Sequence, residues 1–240
     1  NILIRNANIY DGEGNEFNET DLLIQDRKIV AIGKDLPVGN EFLIIDASNK
    51  WVTPGIIDIH SHMGVYPAPG VSTSSDGNEA TSPVTADVWA EHSIWVQDPQ
   101  YALALKGGIT AFHILPGSAN LIGGRGVTVK NLQRNTINSM KFPDAPHSLK
   151  MACGENPKRV YSSRGPSTRM GNVAGYRDAW IGAEKYKKSL EKNPSQRDLR
   201  NETLVGVLDG KILVHNHCYR ACLLYTSPSP RDRTRSRMPS

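Results

Sequence analysis

The chain has 240 residues and a formal net charge of +4, but the four arginines and one aspartate between Arg231 and Arg237 supply three of those charges, leaving +1 for residues 1–221. Nothing in that balance suggests nucleic acid or an anionic membrane as a partner. No run is apolar enough for a transmembrane helix, no signal peptide is visible, and Cys153, Cys218 and Cys222 suggest neither a disulfide framework nor a zinc framework. The chain starts directly in a strand and a preceding leader stays open, so cytoplasmic and exported locations are both compatible with it.

The first fifty residues contain four β-rich runs, ILIRNANIY, DLLIQD, KIVAIG and FLIID. Turn residues separate them: the stretch DGEGN, then Asp26-Arg27, then Pro37 to Asn40. This spacing predicts a meander of short strands.

WVTPGIIDIHSHMG, Trp51 to Gly64, follows. Its β-branched isoleucines after Pro54-Gly55 predict a buried strand from Gly55 to His62. In a strand, Asp58, His60 and His62 share one face and Ile57, Ile59 and Ser61 the other; on a helix the two imidazoles would diverge. Two histidines on one face at a strand's C-terminal end can ligate one metal ion. The plainer alternative is a pair of satisfied loop histidines, against which the Pro-Gly start, the isoleucine face and Asp58 all argue.

Residues 65–85 show no period and are rich in Ser, Gly, Pro and Asp, which predicts a long loop after that strand. Asp76, Glu79 and Asp87 could reach a substrate from here, although solvated loop carboxylates are the simpler use. Asp98-Pro99 predicts a helix start, YALALK the helix, Gly107-Gly108 its stop, and ITAFHILP a further strand. Strand, helix and strand in succession point to a parallel sheet with covering helices. His113 on this second strand reads as a hydrogen-bonded core histidine, since no second ligand-type residue accompanies it.

Gly123, Gly124 and Gly126 around Arg125 match neither phosphate-loop fingerprint and predict a tight turn or hairpin. Arg125 is a candidate for a substrate carboxylate, because its planar fork suits such groups. LKMAC, Leu149 to Cys153, reads as a third strand whose C-terminal end leads into Glu155. A helix is predicted from about Thr168 to Lys192 and another from about Ser195 to Leu208. ILVHNHCYR then forms a strand in which His215 and His217 share a face, with Arg220 just beyond as a substrate-contact candidate. After Ala221 the texture breaks: CLLYTSPSPRDRTRSRMPS is dominated by Ser, Pro and Arg, begins no covering helix, and resembles translated adaptor or vector read-through.

PGIIDIHSH resembles the Pro-Gly-(apolar)-(apolar)-Asp-x-His-x-His signature of the amidohydrolase superfamily. The stretch from Pro116 to Lys130, together with LKMACGENPKRVY, resembles a subgroup related to imidazolonepropionase and prolidase-like members. The resemblance implies an α/β fold: a partial (β/α)8 barrel, about its first half, at residues 54–221, preceded at residues 1–53 by the N-terminal strands of a small β-sandwich. Residues 222–240 are then a non-native-looking, disordered tail. It implies one or two divalent metal ions, zinc first, held by His60, His62, His217 and Glu155. Glu155 also has an ordinary reading, as a turn carboxylate paired with Lys158 or Arg159.

The implied activity is hydrolysis of a C–N bond in an amide, cyclic amide or related small molecule, and a homo-oligomer is compatible with it. The general-base Asp that the resemblance requires is expected beyond the end of this chain. Residues 55–221 fall well short of the roughly 250 that eight βα units need. A truncated, inactive fragment with exposed sheet edges is therefore the expectation for the literal chain. A non-catalytic structural relative and a non-functional gene fragment are the alternatives.

Overall fold

A computed structural model of the chain describes residues 1–226, which form a mixed α/β structure in two units, Asn1–Ile56 and the segment beginning at Ile57. Among the described residues no helix is long and apolar enough to cross a membrane.

The first unit is one five-stranded sheet built from β1 (Ile2–Tyr10), β2 (Glu16–Gln25), β3 (Lys28–Gly33), β4 (Leu43–Asp46) and β5 (Trp51–Val52). The meander holds for β1 to β3, which pair antiparallel in sequence order. It fails at β4, which lies parallel to β1, as does β5. Ala7, Ile9, Leu22 and Ala47 are buried together, whereas all four residues of β4 are exposed.

The second sheet has the order β10-β9-β8-β7-β6. Its strands are β6 (Ile56–Ser61), β7 (Ile109–Ile114), β8 (Ile122–Lys130), β9 (His147–Ala152) and β10 (Ile212–His217). β9 and β10 are parallel, with His217 opposite Ala152. Two expectations are corrected here. The glycine-rich segment around Arg125 is no turn but the central strand β8, antiparallel to both β7 and β9, so the sheet is mixed. The glycines suit this place because neighbours press on them: a Cβ on Gly126 would lie 2.6 Å from both Leu115 Cδ2 and Ser148 Oγ. The strand β6, an edge of the sheet, is also not buried: Ile56, Ile57 and Ile59 are 54%, 60% and 69% exposed. The opposite edge, β10, likewise exposes Leu213 and Val214.

Helix α1 (Gln100–Lys106) precedes β7, and the short α2 (Ile137–Met140) follows β8. The buried Asp98 accepts a hydrogen bond from the Gln100 amide at 3.0 Å and stabilises the start of α1. Helix α3 (Glu155–Val160) leaves the end of β9, and α4 (Arg169–Leu190) and α5 (Leu199–Leu208) follow. Thr168 caps α4 by accepting from Gly171 N at 3.1 Å, and Asp198 caps α5 by accepting from Asn201 N at 3.0 Å. The Asp198 cap starts α5 four residues later than Ser195. Helix α6 (Ala221–Thr226) also forms, contrary to the expected break after Ala221, and Leu223 is buried in the core; the remainder of the presumed tail, 227–240, lies outside the described residues.

Strand alternation sorts the interior into two apolar clusters and one polar surface. Phe112, Ile114, Val127 and Val129 pack with Tyr101 and Met140; Leu149 and Met151 pack with Tyr176, Leu204 and Ile212. Cutting Leu149 or Leu204 back to alanine would cost about 2–5 kcal/mol. His113 on β7 and Ser148 and Lys150 on β9 occupy the alternate positions, and this buried polar surface underlies the candidate site.

One further expectation fails at the end of β9. Cys153 and Cys218 form a disulfide with a Cα–Cα separation of 5.4 Å. Their 65-residue separation in sequence gave no hint of it, whereas the parallel register that sets Ala152 beside His217 brings the next residue of each chain segment into reach.

Candidate active site

His60 and His62 stand at the C-terminal end of β6, as the alternation requires, with ring centroids 5.3 Å apart and planes at 82°. His62 Nδ1 donates to the Leu115 carbonyl at 2.8 Å, which leaves Nε2 as the nitrogen carrying a free lone pair. His215 on β10 stacks on His113, with centroids 4.7 Å apart. His217 receives a long hydrogen bond from Asn156 Nδ2 at 3.5 Å and packs against Tyr219.

His113 is the satisfied core histidine expected from the sequence. Its Nδ1 lies 2.8 Å from Thr128 Oγ1 and its Nε2 2.5 Å from Ser148 Oγ.

The electrostatics tie these groups into one field. Burial, followed by repulsion from Lys150, His62, His215 and His217, pushes the His60 imidazole down to about 4. Burial and then Lys150 lower both His215 and His217, with His62 adding to the effect at His217 and Glu155 opposing it. His62 is lowered by burial against the pull of the Leu115 carbonyl. In all four imidazoles the shift favours the neutral ring, the form that offers a lone pair to a metal ion.

Lys150 is the functional-looking residue that sequence reasoning missed. Its side chain is completely buried, its Nζ donates to the Pro116 carbonyl at 3.0 Å, and desolvation lowers it to about 8. A single lysine in LKMAC carries no signal by itself; only the pairing of β9 between β8 and β10 reveals that it faces histidines.

Glu155 opens α3 directly beyond β9. Its Oε1 pairs with Arg220 Nε at 2.5 Å, whereas Oε2 is buried and has no hydrogen-bond partner. Neither Lys158 nor Arg159 is its partner. The donor chemistry of neutral imidazoles beside a carboxylate with a buried, unpartnered oxygen fits a divalent ion. Among the described residues, however, no three His, Cys, Asp or Glu side chains stand close enough to hold one.

Both arginines named as substrate candidates have partners in the protein. Arg125 lies over the Trp89 ring at 4.3 Å and donates through Nε to Thr203 Oγ1 at 2.9 Å, a structural use that joins β8 to α5. Arg220 is held by Glu155. Of the loop carboxylates, Asp87 pairs with Arg200 at 3.1 Å.

Comparison with known proteins gives this arrangement a lineage. No family model matches the chain. An amidohydrolase of Hapsidospora irregularis, tasK, is 32% identical over 260 residues, covering 90% of this chain and 26% of that protein. The crystal structure of an amidohydrolase from Thermotoga maritima MSB8 superimposes with a TM-score of 0.84 at 37% identity, over 94% of this chain and 60% of that one. A dihydroorotase of Ligilactobacillus salivarius is 44% identical over 70 residues, 28% of this chain and 15% of its own length. The chain belongs to the amidohydrolase superfamily. It spans about a quarter of the tasK protein and 60% of the Thermotoga chain.

Proposed function

We propose that this chain carries part of the active site of a metal-dependent hydrolase that cleaves a C–N bond in an amide, cyclic amide or related small molecule. The observation that carries the reading is the His60–His62 pair at the end of β6, with His215, His217 and the buried Lys150 near enough to lower the His60 imidazole. The family supports the reaction class.

His60, His62 and His217 would hold the ion, zinc first, with Glu155 contributing Oε2. A bound divalent ion there would lower the pKa of its water and polarise the scissile carbonyl. The protein's own contribution is orientation. Leu115 selects the His62 tautomer, Pro116 fixes Lys150, and Arg220 holds one oxygen of Glu155 so that the other stays turned inward. No general base is assigned among the described residues.

The described residues do not close a three-ligand site. The chain alone is accordingly proposed to bind metal weakly and to turn over little substrate. Zinc and cobalt titration by calorimetry, on this chain and on a His60→Ala/His62→Ala variant, tests the assignment. Measurable binding that disappears in the variant supports it; identical binding in the two proteins sinks it. Hydrolysis of a panel of cyclic amides, ureides and dipeptides then separates an enzyme from a non-catalytic relative.

A further inference from the structure

The segment that leaves β7 ties three parts of the molecule together through backbone atoms. The Leu115 carbonyl accepts from His62 Nδ1 at 2.8 Å, the Pro116 carbonyl accepts from Lys150 Nζ at 3.0 Å, and the Gly117 amide donates to the Gly77 carbonyl at 2.6 Å. Gly77 and Gly117 in turn seat one side chain of the long loop, Tyr66. A Cβ on Gly77 would overlap the Tyr66 ring, and one on Gly117 would overlap both the Tyr66 hydroxyl and the Asn78 amide. The hydroxyl accepts from Asn78 Nδ2, and Asn78 Oδ1 accepts from the Ala119 amide at 3.0 Å. Held in this way, the Tyr66 ring meets the His62 ring in a T-shaped contact, with centroids 5.7 Å apart and planes at 83°.

We infer that Tyr66 is a positioning residue for His62, and that Asn78, Gly77 and Gly117 form its seat. Besides its contact with the exposed His60 ring, the imidazole is held by one hydrogen bond at Nδ1, which by itself leaves it freedom to turn, since the terminal torsion of histidine is broad. An aromatic ring packed against it at a right angle removes that freedom and gives Nε2 one direction. The loop thereby acts on the site from within, through an aromatic side chain and without a carboxylate. The use made of this alignment rests on the reading of His62 as a metal ligand, but the alignment itself can be measured without metal.

Imidazole 15N NMR on the full chain reads the His62 tautomer. The wild type is expected to show a single Nδ1–H form. Tyr66→Leu, which removes the ring, is expected to give averaged shifts at both nitrogens, and Asn78→Ala, which only loosens the seat, a smaller change in the same direction. Tyr186→Phe, which loses a hydroxyl bond to the Gln196 carbonyl far from the site in the chain, serves as the control for general destabilisation and should leave His62 unchanged. If Tyr66→Leu fails to fold, Asn78→Ala decides. A single Nδ1–H form that persists in the folded variants overturns the inference, as does a wild type that lacks it. Cobalt titration of the same proteins is expected to show affinity about tenfold weaker in Tyr66→Leu. Unchanged cobalt affinity in His62→Ala would remove the metal reading and leave the positioning role to the tautomer result alone.

Discussion

Arg220 Nε meets Glu155 Oε1 at 2.5 Å, and each of the two residues stands two positions past one half of the Cys153–Cys218 disulfide. The ends of β9 and β10 are thus tied twice, once covalently and once by an ion pair. The ion pair is largely exposed and would contribute under about 1 kcal/mol by itself, so its role is to orient Glu155.

The disulfide closes a segment of 65 residues, for which chain entropy predicts roughly 4 kcal/mol of stabilisation. Urea unfolding of the oxidised chain, against the same chain in dithiothreitol and against Cys153→Ala/Cys218→Ala, measures it. A lower midpoint in both is expected; coincident curves would mean that the bond does not constrain the unfolded chain.

Acid should destabilise the second unit before the carboxylates titrate. Burial, then the nearby His215 and His60, push His113 down to about 4 from its ordinary value of 6.5. Between those values the unfolded chain binds the proton and the folded chain does not, so stability falls as pH drops from about 6.5 and stops falling near 4. For this buried ring the loss approaches about 3 kcal/mol. The more exposed His60 acts in the same direction. Unfolding midpoints at pH 7, 5.5 and 4 should fall in that order, and His113→Gln should flatten the trend.

Gly124 has φ +112, and a Cβ there would overlap the Val88 carbonyl. Gly124→Ala combines left-handed strain with overpacking and is expected to lose about 2–4 kcal/mol. A thermal melt unchanged from wild type would refute the central position of β8.

Arg125→Lys keeps the charge but loses the planar stack on Trp89 and the Nε bond to Thr203. A loss of about 1 kcal/mol and altered tryptophan emission are expected, with metal titration unchanged. Weakened metal binding would return Arg125 to the site.

Much of this protein was legible locally. The period of two in IIDIHSH set His60 and His62 on one face, the turn residues of the first fifty positions marked β1 to β3, and Thr168 and the residues after it marked α4. These features depend on neighbours within a few residues, where alternation, capping and turn chemistry act. What depended on distant pairing was hidden. The glycines around Arg125 look like a turn until β7 and β9 close on both sides. Cys153 and Cys218 become partners only through the β9–β10 register. Lys150 is one polar letter in an apolar run until the sheet turns it toward histidines, and Arg125 and Arg220 acquired their partners only when Trp89, Thr203 and Glu155 came within reach. Local sequence therefore determined which groups could do chemistry; the tertiary structure decided which of them meet, because strand pairing and burial join positions that no short window of sequence connects.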